Sequence, residues 1–193
     1  MKKYTYNWNR EFIKNTSKFK KKILNCLEIG CFEGLTSNYI IENLISESGK
    51  LTCIDPLSDV YISENPSNSD SIKNNIDFKY FEGQYSRFIN NVREHLDSGK
   101  IELIRDFSSK ILPELKMTHF EKFDFIYIDG DHRPESVYFD GVNCYELCKK
   151  NGYILFDDYK WNDTGTGIDR FLLEYSNKIK ILIKDYQVLI QKI

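Results

Sequence analysis

Long hydrophobic runs are absent from this 193-residue sequence. Nothing in it approaches the ~18 consecutive apolar residues that span a bilayer, and the lysine-rich start lacks the apolar stretch of a secretory leader. An excess of either charge is missing too, with 27 Lys and Arg against 29 Asp and Glu. That balance gives no broad electrostatic footprint, so neither nucleic acid nor a membrane is the expected partner. The five cysteines, Cys26, Cys31, Cys53, Cys144 and Cys148, are odd in number and form no C-x-x-C pair. They read as reduced thiols packed in a core, in a cytoplasmic setting, rather than as a disulfide framework or a zinc site. Proline and glycine are scarce, at 4 and 10, and no linker rich in them divides the chain. One domain over residues 1–193 is expected, long enough to bury a sizeable core.

What is present is alternation. Apolar runs at 23–29, 51–54, 101–104, 123–128 and 153–156 are separated by amphipathic stretches, the pattern of an α/β sandwich with a mostly parallel sheet. Two further runs, 179–183 and 186–193, are parted only by Lys184 and Asp185 and predict an antiparallel hairpin. A helix after Gly34 buries Ile41, Leu44 and Ile45. Another starts at Pro134, carries Cys144 and Cys148 on its apolar face and ends near Gly152, and a third carries Ile168, Phe171, Leu172 and Tyr175. Residues 56–71 are rich in Ser, Asn, Asp and Pro and predict a long loop, either a flap over the substrate or a surface insertion. The lysines between Lys18 and Lys22, broken by Phe19, read as a solvated helix face.

The strongest local signal is Asn25-Cys26-Leu27-Glu28-Ile29-Gly30-Cys31-Phe32-Glu33-Gly34, an apolar strand that empties into an acidic, glycine-spaced turn. A pyrophosphate-binding turn needs G-x-G-x-x-G, whereas this one is E-x-G-x-x-x-G. The carboxylate of Glu28 repels a phosphate and attracts an ammonium. In parallel sheets ligands sit beyond the carboxyl ends of the strands, and here those ends are acidic: Glu28, Asp55, Asp129 with Asp131, and Asp157 with Asp158. Asp55 follows the turn at the interval that places a carboxylate on a ribose, and also suits a turn before Pro56. Asp106-Phe107-Ser108 opens a helix, with Ser108 near its N-cap. Clustered carboxylates repel one another unless neutralised, and a hard divalent cation such as Mg²⁺, Mn²⁺ or Ca²⁺ answers that economically; caps for helices and turns are the other reading. His132, beside Asp131, becomes a candidate base. His95 and His119 read as structural.

These blocks resemble the class I S-adenosylmethionine-dependent methyltransferases, and among them the metal-dependent O-methyltransferases that act on macrolide and aminocoumarin sugars. The resemblance takes in Tyr6-Asn7-Trp8, the segment from Phe156 to Trp161 and Asp185-Tyr186-Gln187-Val188. It implies a Rossmann-like three-layer sandwich on a seven-stranded, mostly parallel sheet with an antiparallel last strand. It further implies S-adenosylmethionine held by Glu28, Gly30, Phe32, Gly34, Asp55 and Asp129, with Phe107 and Ser108 beside the adenine, although Asp106 stands where the family often has glycine. Asp129, Asp157 and Asp158 would hold a divalent cation, Mg²⁺ first. Asp131, or else His132, would take the proton from a hydroxyl of a small acceptor, a sugar or nucleotide sugar with adjacent oxygens. Lids are expected in residues 1–22, around Trp8 and Phe12, and in the 56–71 loop. A catechol-type enzyme and a non-catalytic cofactor-binding partner subunit are the alternatives, an NAD(P)-dependent oxidoreductase is the rival fold, and self-association is left open.

Overall fold

The computed structural model describes Tyr4, residues 10–57 and residues 83–193. The Tyr6-Asn7-Trp8 segment and all but the first two residues of the 56–71 loop lie outside the described residues. The described strands are β1 (Ile23–Ile29), β2 (Ile45–Ile54), β3 (Ile101–Ile104), β4 (Phe123–Ile128), β5 (Cys148–Phe156), β6 (Ile179–Lys184) and β7 (Val188–Lys192). The described helices are α1 (Arg10–Thr16), α2 (Leu35–Tyr39, running on as a looser turn Ile40–Leu44), α3 (Gln84–Asp97), α4 (Ser108–His119), α5 (Pro134–Leu147) and α6 (Thr164–Glu174).

The strands form one sheet in the order β3-β2-β1-β4-β5-β7-β6. β1 to β5 are mutually parallel, while β7 runs antiparallel to both β5 and β6. Strand alternation divides the core into two layers. Leu27, Ile29, Ile126, Ile128, Ile154 and Phe156 face Leu112 of α4, Val137 and Cys144 of α5, and Ile168 and Phe171 of α6. Their neighbours Cys26, Cys53, Phe125, Tyr127 and Leu155 face Phe12 of α1, Ile40 and Ile41 after α2, and Phe88 and Val92 of α3. Each such Leu, Ile or Phe contributes about 1.5–3 kcal/mol by leaving water. The three-layer sandwich with an antiparallel last strand is therefore the observed architecture, and all five cysteines are free and buried in it.

Three boundaries differ from the sequence expectation. The helical turns after Gly34 stop at Leu44, because Ile45 turns extended (φ −74°, ψ 136°) and pairs with Ile23, so β2 begins well before Leu51. Ile45 is buried as expected, but as a strand residue. Helix α5 ends at Leu147 rather than near Gly152, since Cys148 is already extended and opposite Phe123. Asn151, not Gly152, takes the left-handed conformation, at φ 65°. The β6–β7 connection is the three residues 185–187, which frees Gln187 to turn inward.

The register places the chemistry. Glu28 lies between Cys53 and Tyr127, and Ile128 lies opposite Phe156. Asp129 and Asp157 therefore leave adjacent strands side by side.

Candidate active site

The turn after β1 is held by the protein's own close packing. Gly30 (φ 80°) donates its N–H to Ile54 O at 2.9 Å, and a Cβ built on it would sit 1.9 Å from Asp129 O. At Gly34 (φ 79°) a Cβ would sit 2.6 Å from Val92 Cγ1 on α3. Phe32 also has a positive φ, 46°, which costs a side-chain-bearing residue on the order of 1 kcal/mol or more. That bend aims two N–H groups at one carboxylate: Cys31 N and Phe32 N donate to Asp55 Oδ2 at 2.8 and 2.9 Å, while Leu57 N donates to Oδ1 at 2.7 Å. Burial raises the Asp55 pKa and the three N–H groups oppose it. The Cys31 side chain is a fourth group bonded to this carboxyl, so its roughly four acceptor sites are met by the turn itself.

Glu28 is fully buried and accepts from Ser37 Oγ at 2.5 Å and Cys53 Sγ at 3.4 Å, both on Oε2. Its Oε1 has no partner among the described residues. Burial, above all, pushes its pKa up to about 8. A cavity of about 30 Å³ lies between the turn, Thr36, Asp129 and Tyr4, room for a water and little else. Tyr4 Oη accepts from Asn38 Nδ2 at 2.8 Å.

Ser108 does not cap α4. Phe107 occupies the cap position, and Asp106 Oδ1 accepts from Phe107 N at 2.8 Å. The Ser108 hydroxyl instead bonds to Asp140 of α5, whose side chain is buried with Oδ2 unpartnered among the described residues. Burial raises the Asp140 pKa to about 7 against the lowering effect of Ser108.

Beyond β4 and β5 the structure brings together Asp129, His132 and Asp158, each offering one ligand atom within 4.8 Å of the others. His132 Nε2 is 2.7 Å from Asp158 Oδ2 and 3.8 Å from Asp129 Oδ1, and its ring meets Trp161 edge-on at 4.6 Å. Tyr186 Oη donates to Asp158 Oδ1 at 2.6 Å. Burial lowers the His132 pKa, but its bonds to Asp129 and Asp158 outweigh this and raise it to about 10. Burial favours the neutral acid at Asp158, yet His132 and Tyr186 hold it below its usual range. Asp129 is shifted upward by burial, reinforced by Asp157 and Asp158 against the opposing His132.

The other expected site residues are engaged elsewhere. Asp157 is held from three sides: its Oδ2 accepts from Tyr127 Oη and from Gln187 Nε2 at 2.9 Å, and its Oδ1 from Asp158 N at 2.7 Å. Tyr127 Oη also lies 3.0 Å from Asp129 Oδ2. Asn15 of α1 donates to Gln187 Oε1 at 2.9 Å, which ties the first helix to this network. Asp131 turns aside to Arg133, whose Nε lies at 2.7 Å and N at 3.0 Å, and to Ser136 Oγ at 3.0 Å. Burial works against its ionisation, but Arg133 prevails and holds the carboxyl below its usual range. Tyr127, Gln187 and Asp140 carried no sequence signal as site residues. Tyr127 reads as one more apolar strand position, and partners contributed by distant elements have no spacing to betray them.

A glycine turn closed by the acid of the next strand, acidic ends on β4 and β5 and a reversed β7 together define the class I methyltransferase fold. Residues 27–159, more than half of the chain, match the family described as Methyltransferase domain, and the chain belongs to that family. It is similar to the crystal structures of the O-methyltransferase TomG from Streptomyces achromogenes, involved in tomaymycin synthesis and solved with S-adenosylmethionine, and of an O-methyltransferase from Bacillus cereus solved with S-adenosylhomocysteine. TM-scores are 0.60 and 0.59, both at 16% identity, covering 89% and 94% of this chain and 74% and 76% of those chains. An uncharacterised protein of Acanthamoeba polyphaga mimivirus is 29% identical over 144 residues, 74% of this chain. The chain spans about half of that relative's length, 54%. No helix among the described residues is long and apolar enough to cross a membrane.

Proposed function

We propose that this methyltransferase uses S-adenosylmethionine to methylate a hydroxyl of a small, sugar-like acceptor with adjacent oxygens, assisted by a divalent cation. The observation that carries the reading is the convergence of Asp129, His132 and Asp158 on one point beside the Gly30 turn. Two carboxylates suit a hard divalent ion, and the upward-shifted acid at Asp129 is one that a cation would relieve. Asp129 and Asp158 would hold the ion, while Asp157, already accepting three hydrogen bonds, has less to offer it. A bound cation would supply Lewis-acid polarisation of the acceptor hydroxyl.

On the cofactor side, the sulfonium supplies the methyl group. Glu28 Oε1, buried and unpartnered among the described residues, suits an ammonium, and Asp55 would accept from a ribose hydroxyl in place of the Cys31 thiol. The 30 Å³ cavity requires that Tyr4 withdraw from the turn to admit a ligand of that size. His132 reaches the acid cluster and Asp131 does not, which supports the imidazole as the group that accepts the proton. The remaining rate advantage comes from alignment, up to ~7–11 kcal/mol for ideal orientation.

The test is a screen of nucleotide sugars and vicinal diols with methyl-labelled cofactor, with and without Mg²⁺. Transfer to a diol, lost in excess EDTA and restored by Mg²⁺ or Mn²⁺, is the expected result; full turnover in EDTA would leave the acids as structural caps. Glu28 gives a separate check. At pH 7 a carboxyl shifted to about 8 is mostly protonated, and a ligand ammonium beside it favours the charged form, so binding should release nearly one proton. Calorimetry of S-adenosylhomocysteine binding in buffers of different ionisation enthalpy should show that release in the wild type and not in Glu28→Gln. Binding with no buffer dependence would remove the ammonium from Glu28.

A further inference from the structure

The lysine run near the start of the chain has a counterpart far away in sequence, and the fold brings the two together. Lys18 and Lys22 share a recess of about 440 Å³ with Lys149 and Lys150. The recess lies toward the amino ends of the parallel strands, where Ile23 opens β1, Asp124 is near the start of β4 and Tyr153 of β5 pairs with Phe125. The candidate active site is at the other end of these strands, a strand length or roughly 20 Å away. The volume falls in the range of small-molecule sites, and the recess is open to solvent on one side.

Its charge is compensated at one lysine of the four. Asp124 is the acid in the recess, and both of its oxygens are used: Oδ1 accepts from Lys149 Nζ at 2.6 Å and Oδ2 from Asn25 N at 2.8 Å. Lys18, Lys22 and Lys150 have no carboxylate partner among the described residues. The Lys18 ammonium instead stands over two aromatic rings, 4.9 Å from the Phe19 centroid and 5.5 Å from that of Tyr153. Partial burial lowers its pKa, as expected of an ammonium losing water without gaining an anion. Three ammonium groups with no carboxylate partner among the described residues, around one concavity, attract an anion carrying several charges, and compact lysine heads suit phosphate oxygens. The formal net charge of −2 for the whole chain disfavours a long polyanion running past the recess over the rest of the surface.

We propose that this recess binds a small molecule bearing an oligophosphate, held by Lys18, Lys22 and Lys150, with Lys149 fixed at its edge by Asp124. The site is independent of the methyl-transfer chemistry, so its test does not need an acceptor. Calorimetric titration of the full chain with inorganic tripolyphosphate should give saturable one-to-one binding that weakens as salt rises. The triple variant Lys18→Gln, Lys22→Gln, Lys150→Gln should bind roughly tenfold or more weakly while keeping its thermal unfolding midpoint, because exposed lysines contribute little to stability. No saturable binding up to about 1 mM, the range of weak ligands, or equal affinity in the triple variant overturns the proposal. So does single-stranded RNA that binds more tightly than tripolyphosphate and loses that binding in the same variant, which would assign the lysines to a nucleic acid.

Discussion

Gly30→Ala should destabilise the protein by several kcal/mol, far more than the same change at another left-handed glycine. Gly99 is the control: its φ is 67°, and a Cβ there meets nothing within 4 Å, so Gly99→Ala isolates the backbone penalty of about 1–2 kcal/mol. At Gly30 the same penalty applies at φ 80°, and the new Cβ also lands 1.9 Å from Asp129 O and 2.6 Å from Asp129 C. Neither neighbour is a flexible side-chain end, so β1 and β4 must separate where Asp129 N donates to Ile29 O at 2.8 Å. Losses above about 4 kcal/mol are the mark of such a forced backbone clash. Urea unfolding of the two variants and the wild type measures the difference, and equal destabilisation would show that the strand ends adapt without cost. An alanine or valine at this position therefore reports on the junction of β1 with β4, not on the approach of a ligand. Cofactor binding is better probed at Glu28, whose replacement by Gln preserves shape.

The same glycine shows what the sequence made legible and what it did not. The alternation of strands and helices and the reversed last strand follow from the apolar runs and the closing hairpin, because each run needs a covered face and each amphipathic stretch supplies one. The acids appear at strand ends for the same reason: an apolar run stops where the chain leaves the core. What periodicity cannot show is which partner each acid finds. Asp157 is bound by Tyr127, an inward-facing residue of β4, and by Gln187, thirty residues further along the chain. Asp131 and Asp158 look equivalent in sequence, yet one meets Arg133 and the other His132. Mutual repulsion among these acids is answered in part by the protein itself, through an imidazolium, a guanidinium and two phenols. Ser108 misled for a related reason, since its serine-before-a-helix signature is that of a cap, whereas the buried Asp140 on a neighbouring helix claims its hydroxyl. Lys18 and Lys150 share a recess only because β1 and β5 flank β4 in the sheet.

The division of labour between His132 and Asp131 leads to the largest expected effect on catalysis. His132→Ala should lower kcat by about 10²–10⁴-fold with S-adenosylhomocysteine affinity unchanged, the loss typical of removing a general base. Asp131→Asn should cost less, because that carboxylate is spent on Arg133 and Ser136 at the start of α5 and would act only by loosening the turn that carries His132. The pH profile separates the two. An imidazole accepts a proton only when neutral; in the cation-free protein the flanking carboxylates raise its pKa to about 10, and a cation on Asp129 and Asp158 would oppose that rise, so activity limited by His132 should fall as pH drops, with an acid limb that moves to lower pH as Mg²⁺ is added. In the cation-free protein, Asp158→Asn removes the partner at 2.7 Å and should lower the His132 pKa, which an NMR titration of the imidazole reads. If Asp131 is the base instead, its depressed carboxyl places the acid limb in or below the ordinary carboxylate range, and Asp131→Asn becomes the more damaging change. Near wild-type kcat in both single variants and in the double variant would take general-base catalysis away from this turn altogether. Deprotonation of the acceptor would then fall to groups outside it.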